Sequence, residues 1–144
     1  MLESLDPLGN ISLVLQIAIL LLLILAVPYV KAKGTKKNFM KHGYLTVIAL
    51  ILHSILIAIV MIPSFTEGFG GFSELSIFDS FTVWSHAVLG TLAEVLGIVI
   101  VVLWASKPLK HMACMKLKKA MLPLFIIWVI SIINGALIHL LGML

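Results

Sequence analysis

The sequence predicts an all-α integral membrane protein, folded as an antiparallel bundle of four helices that each cross the bilayer. Hydrophobic residues make up 62% of the chain and charged residues 11%, whereas charged residues make up about 25% of a typical soluble domain. Four apolar segments reach the length of about 20 residues that a helix needs to cross a hydrocarbon core of about 30 Å. All ten basic residues are lysines, and they lie in two short stretches, 31–41 and 107–119.

The apolar segments give the bounds of the predicted helices, which are 10–30, 40–62, 82–104 and 120–142. These segments take up most of the 144 residues, so we predict a single transmembrane domain over 1–144. The first segment does not match a cleaved signal sequence. Its leader MLESLDPLGN is acidic where a signal sequence is basic, and its apolar run is longer than the usual 7–15 residues.

The lysine stretches predict the orientation of the bundle. Cytoplasmic loops of membrane proteins carry an excess of lysine and arginine, so we expect the connections 31–42 and 105–119 to lie in the cytoplasm. Both termini then lie outside the cell membrane. Five of the six acidic residues fall in the complementary stretches, and the sixth, Glu94, lies inside an apolar segment. The excess of lysine over acidic residues therefore reflects the orientation of the protein in the membrane and contact with anionic lipid, not nucleic-acid binding.

The outer connection 63–81 contains no lysine and interleaves phenylalanine with glycine. We expect helix two to end at Pro63 and the connection to lie along the interface; the alternative is a lid over a site that opens outward. Four aromatic residues near the predicted helix ends fit the belts that such residues form at membrane interfaces. They are Tyr29, Tyr44, Trp84 and Trp104.

Functional chemistry must come from the few polar residues inside the apolar segments, because a central charge costs about 3 kcal/mol on insertion scales. His86 and His139 are predicted at similar depths on the outer halves of helices three and four. Two histidines level on adjacent helices could ligate a haem b iron or another metal ion between them. The alternative is interhelical hydrogen bonding, the role also expected for Asn134.

His53 and Glu94 are both predicted near the middle of the bilayer. A carboxyl group at that depth must be protonated or paired, so the two residues form a candidate proton relay or quinone-linked site. The alternative is a buried hydrogen-bonded pair that only fixes packing. His42 shares a face of helix two with His53, and both are further candidate haem ligands.

A compact group of soft ligands lies in the second basic connection. Its members are His111, Met112, Cys114 and Met115. Thiolate, thioether and imidazole suit Cu(I), so this group is a weak copper candidate; the alternative is a basic amphipathic turn with apolar methionine anchors.

Short motifs along nearly the whole chain resemble the CtaM-like (YozB-like) four-span membrane proteins. The motifs are Lys41-His42, Ser85-His86-Ala87-Val88-Leu89, His111, and Leu122-Pro123 followed by Trp128 and Gly135. This resemblance implies a role in the maturation of haem-copper terminal oxidases.

Two classes of function follow. The first is a haem-linked protein similar to b-type cytochromes or a respiratory oxidase maturation factor, with a terminal oxidase or quinone as partner. The second is a non-catalytic structural or assembly subunit without a cofactor. Either could form homo-oligomers. The sequence contains no nucleophile–base constellation, phosphate-binding loop or hydrolytic motif, so it does not predict an enzyme.

We predict that a thiol reagent reaches the first basic connection only from the cytoplasm. Lys36→Cys and Ser73→Cys are introduced separately into a Cys114→Ser background and exposed to a membrane-impermeant maleimide. Ser73→Cys should react in intact cells, whereas Lys36→Cys should react only after the cells are opened. Labelling of Lys36→Cys in intact cells would overturn the predicted orientation.

Overall fold

The computed structural model describes the backbone of residues 7–31, 36–68, 76–107 and 110–141, which is almost entirely helical. The elements are α1 (Pro7–Lys31), α2 (Lys36–Leu56), a π-helical turn (Ile57–Met61), α3 (Ile62–Gly68), α4 (Ile77–Ala105) and α5 (Lys110–Leu141). Four apolar spans long enough to cross a membrane run through them, at Gly9–Tyr29, Lys37–Glu67, Ile77–Ala105 and Lys116–Leu141. The predicted all-α four-helix bundle is therefore confirmed.

The helices extend beyond the bounds predicted from hydrophobicity. The largest difference is at α5, which begins at Lys110, ten residues before the predicted start at 120. The apolar pattern marks only the part of a helix that lies in hydrocarbon. The preceding stretch is rich in lysine, methionine, leucine and alanine, which are good helix formers, so the helix continues into the polar region.

The prediction that helix two ends at Pro63 is wrong. The Ile62 N–H bonds to the Ile57 carbonyl oxygen, which closes a widened π turn, and Pro63 then lies in the first turn of α3. Pro63 lacks the N–H that would continue the hydrogen-bond ladder, and the widened π turn directly before it is where the helix accommodates this interruption. The chain therefore stays helical through Gly68, and residues 69–75 of the predicted interfacial connection lie outside the described part.

The helices form two antiparallel hairpins, α1 with α2 and α4 with α5, which pack together through α1 against α5 and α2 against α4. The register of α2 against α4 follows from two contacts, Gly43 with Trp104 and Leu50 with Gly97. The start of α2 thus lies beside the end of α4, so both lysine-rich connections are at the same end of the bundle. Which side of the membrane that end faces stays a prediction.

The interior of the bundle is apolar and centred on Trp128, which is 1% exposed and packs with Ile19, Leu50 and Leu56. The outer surface is also apolar, with large isoleucine, valine and leucine side chains exposed along every spanning helix. An apolar exterior is the surface that lipid requires, and it would be unstable in water. The chain is therefore a multi-pass membrane protein.

The sequence analysis placed Trp104 in an aromatic belt at the membrane interface, and the structure shows that this prediction is wrong. It is 5% exposed and packs with Phe39. The ring of Tyr44 meets it edge-on at a centroid distance of 5.9 Å. A Cβ added to Gly43 would overlap the indole. Glycine is required at position 43 because the indole occupies the space of a side chain.

We predict that Gly43→Ala destabilises the bundle. Overpacking of a well-packed core costs about 1–3 kcal/mol, and the indole has little room to retreat. The free energy of unfolding, measured by denaturant titration in mixed micelles, should fall for Gly43→Ala. In a Trp104→Leu background the same substitution should be nearly neutral or stabilising. An equal loss in both backgrounds would show that the Gly43 contact with Trp104 is not the cause.

Candidate functional site

The central polar cluster joins α2 to α4. The Nδ1 atom of His53 lies 2.7 Å from Oε2 of Glu94, and the Ser54 hydroxyl donates to Oε1 of the same carboxyl group. The side chain of His53 is 2% exposed and that of Glu94 is 13% exposed. The predicted pairing of His53 with Glu94 is therefore present, and Ser54 is a third member that the sequence reasoning missed.

Small residues allow the helices to approach closely around this pair. Ala49 on α2 and Ala93 on α4 are fully buried in the same core cluster. A Cβ added to Gly97, one turn from Glu94, would lie 2.8 Å from Cδ1 of Leu50. Small side chains at helix contacts bring backbones close enough for polar side chains to bond across the gap.

The third wall of the cluster comes from α5. The rings of His53 and Trp128 meet edge-on, with centroids 5.2 Å apart and planes inclined by 63°. Trp128 is 1% exposed, and its Nε1 atom has no hydrogen-bond acceptor among the described residues. The imidazole of His53 is therefore enclosed by α2, α4 and α5, whereas the carboxyl group of Glu94 keeps one edge open.

The chemistry of this cluster is that of an acid and a base sharing a proton. A hydrogen bond of 2.7 Å between Nδ1 and Oε2 requires one proton between the two atoms. The pair can therefore exist as imidazolium with carboxylate, as imidazole with carboxylic acid, or as a neutral Nδ1–H imidazole with carboxylate. The first two forms have zero net charge, and the third carries one negative charge. A neutral pair is what the hydrocarbon interior tolerates, because a lone charge there is strongly disfavoured.

A second polar layer joins α4 to α5 nearer the other end of the bundle. Nδ1–H of His86 donates to the carbonyl oxygen of Ser131 over 2.8 Å, since a carbonyl can only accept. The Asn134 amide donates to the Ser85 hydroxyl over 3.0 Å, the interhelical role predicted for Asn134. Gly90 lies beside this layer, and a Cβ there would be 3.2 Å from Oγ of Ser131.

Gln16 brings α1 into the same layer. It is 5% exposed, and a Cβ added to Gly135 would lie 2.5 Å from its Oε1 and 2.7 Å from Cε1 of His86. The Gln16 amide donates to Ser12 over 3.1 Å, while Oε1 has no donor in the described part of the chain. The sequence signal for Gln16 was a lone amide inside an apolar helix.

His86 and His139 are not level in the structure. The bond from Asn134 to Ser85 places His86 opposite position 133 of α5, so His139 lies six residues, or about 9 Å, further along the bundle. The His86 ring is engaged by Ser131 and packed against Gly135. These residues do not fit a haem held edge-on between α4 and α5, and haem b stays a prediction that this packing does not favour.

His42 lies far from the central pair. Its Nδ1–H donates to the carbonyl oxygen of Ala26 over 3.0 Å, which joins α2 to α1. Eleven residues separate His42 from His53, or about 16 Å along a helix. The two histidines share a face of α2, as predicted, but no single ligand of ordinary size touches both.

The copper candidates His111, Met112, Cys114 and Met115 lie in the first turns of α5, and their side chains are outside the described part. Among the residues that are described, no three histidine, cysteine, aspartate or glutamate side chains converge on one point. The Cu(I) hypothesis therefore stays a prediction.

Fold and site together define a small multi-pass membrane protein with an acid–base pair inside its spanning region. No protein-family model, curated protein or solved structure matches the chain. The resemblance to the CtaM-like proteins therefore stays a prediction carried by the short motifs alone.

We predict that His86→Ala destabilises the protein more than His139→Ala. The first substitution removes an interhelical hydrogen bond, worth about 1 kcal/mol in a membrane protein. His139 makes no hydrogen bond or ion pair to any described residue, so it serves as the matched control. Unfolding in mixed micelles measures both losses. Equal losses would contradict the assigned difference between the two histidines.

Proposed function

We propose that this integral membrane protein is a non-enzymatic factor of the respiratory chain in the cell membrane, and that its His53–Glu94 pair holds and exchanges a proton within the bilayer. The observation that supports the proposal is the bond between an imidazole 2% exposed and a carboxyl group 13% exposed. The link to respiration rests on the resemblance to oxidase maturation proteins. A terminal oxidase is the partner that this resemblance implies.

Packing alone does not account for the pair. Replacing a buried ion pair with apolar residues of similar volume is often neutral or stabilising, so a bundle that needs only cohesion gains little from burying Glu94. The carboxyl group is held by two hydrogen bonds, from His53 and Ser54, and one edge stays accessible. A carboxyl group that is oriented, paired with a base and still reachable is suited to gaining and losing a proton.

The second candidate is a structural or assembly subunit without a cofactor. The observation in its favour is that other buried polar groups serve to connect helices. His42 bonds to α1, His86 bonds to α5, and Asn134 bonds to α4. In this case the His53–Glu94 pair would be one more connection, and its proton would never exchange.

The packing of His86 does not favour a haem held between α4 and α5. Such a haem would require His86 and His139 to reach one iron, and His86 is committed to the contact between α4 and α5.

We predict that the carboxyl group of Glu94 titrates in the membrane. In protein reconstituted into phospholipid vesicles, acidification should produce the infrared C=O band of a protonated carboxylic acid in a low-dielectric environment. The band should be missing in Glu94→Gln and altered in His53→Gln, because the imidazole is the partner of the carboxyl group. Glu67→Gln removes an exposed carboxyl group at the end of α3 and is the matched control, which should keep the band.

A Glu94 band that does not change with pH would overturn the proton-exchange proposal and favour the structural subunit. Loss of the band in Glu67→Gln would mean that the signal comes from the helix end and not from the centre of the bundle.

A further inference from the structure

We infer that Glu94 and Ser54 form a lateral binding site for the headgroup of a lipid-soluble quinol, which enters from the bilayer between α2 and α4. The inference deepens the proposed function and rests on it, because it names the class of molecule that meets the acid–base pair. It concerns binding and orientation of the headgroup, without an oxidation step.

The open edge of the cluster faces lipid. Ser54 is exposed, although it bonds to Glu94. The neighbouring side chains along the two helices are apolar and exposed, with Ile51 (53%) and Ile55 (45%) on α2 and Val95 (53%) and Ile98 (44%) on α4. An occupant that reaches a polar spot framed by such side chains must itself dissolve in the bilayer.

The depth of the site excludes ordinary lipid headgroups. Glu94 lies three residues from the middle of α4, about 5 Å along the helix, so it is near the centre of a hydrocarbon core about 30 Å thick. Phospholipid headgroups stay at the interface, about 15 Å away. A neutral headgroup on an apolar chain can move to this depth.

The hydrogen-bond inventory shows what the headgroup must offer. The proton between His53 and Glu94 is used inside the pair. The single proton of the Ser54 hydroxyl is shared between the Glu94 carboxyl group and the Leu50 carbonyl oxygen. What remains at the open edge is the unused lone pairs of the Glu94 and Ser54 oxygens. A group that bonds to Glu94 from the lipid side must therefore be a donor.

A quinol meets these requirements and the corresponding quinone does not. The quinol carries phenolic O–H donors on a flat, neutral ring, and an O–H donated to a carboxylate makes a strong, charge-assisted bond. The quinone carries only carbonyl acceptors. Thr91 is exposed one turn from Glu94. Its hydroxyl can donate to a quinone or accept from a quinol, so it does not distinguish the two, and the preference for the quinol comes from Glu94.

The test measures retention of radiolabelled ligand by the protein in phospholipid nanodiscs, kept anaerobic, with empty nanodiscs as the baseline. The probes are a decyl-substituted benzoquinol, the matching benzoquinone and decanol. We expect saturable binding of the quinol, at least tenfold tighter than binding of the quinone or decanol. Glu94→Gln removes the negative charge and replaces one carboxylate oxygen with an NH₂ donor, so it should remove this preference for the quinol.

Two serine variants test whether the ligand binds at the open edge of the cluster. Ser54→Leu fills the open edge and should reduce quinol binding at least tenfold, whereas Ser54→Ala leaves the edge open and should change binding only a few-fold. If Ser54→Leu does not fold, Ile98→Phe covers the same edge from its rim and should have the same effect. Thr91→Val should leave the preference for the quinol unchanged.

Four outcomes would each overturn the inference. Two concern the ligand itself, namely no saturable binding and equal binding of quinol and quinone. The others are displacement of the quinol by decanol at similar concentration and full binding in the variants that cover the edge. These outcomes are separate from failure of the proposed function. If the Glu94 infrared band titrates and no quinol binds, only the ligand assignment fails. If the band does not titrate, proton exchange itself fails.

Discussion

The hydrogen bond between His53 and Glu94 is the interaction on which the centre of this molecule depends. Neither group is tolerated alone in hydrocarbon, because each would carry an unpaired charge or an unsatisfied polar atom. The bond therefore requires α2 and α4 to stay together at one register, which the contact of Leu50 with Gly97 supports on the adjacent turn. Packing and chemistry share the same residues, so a change in the pair alters both.

Buried polar side chains are also bonded to a neighbouring helix at other levels of the bundle. His42 joins α2 to α1 near the lysine-rich end, and His86 joins α4 to α5 towards the opposite end. In lipid the hydrophobic effect between helices is weak, and close packing and interhelical hydrogen bonds take over its role. Glycine accompanies polar contacts at Gly97 and Gly135, where a side chain would collide with its neighbours. The central pair differs from the other contacts because its carboxyl group also opens to the bilayer.

Much of the fold could be predicted because bilayer thickness translates directly into the length of an apolar segment. Helical periodicity also places Gly90 and Gly97 on one face of α4, and the structure buries both. Helix ends were less predictable, because α5 starts in a polar stretch where hydrophobicity carries no signal. The pairing of His53 with Glu94 followed from their similar depth, whereas the similar depth predicted for His86 and His139 does not match the offset between α4 and α5 in the structure.

The sequence by itself determined the class of the protein, the number of spans and the short list of polar residues that must face the interior. The reason is that a polar side chain exposed to hydrocarbon is energetically costly. Only the tertiary structure decided which of those residues meet. Ser54 bonds to the carboxyl group of Glu94, Gln16 and His86 both pack against Gly135, and Trp104 is buried against Gly43. The physical reason is that contacts between helices depend on their relative rotation and vertical offset. Both are results of side-chain packing across the whole bundle, and no single segment encodes them.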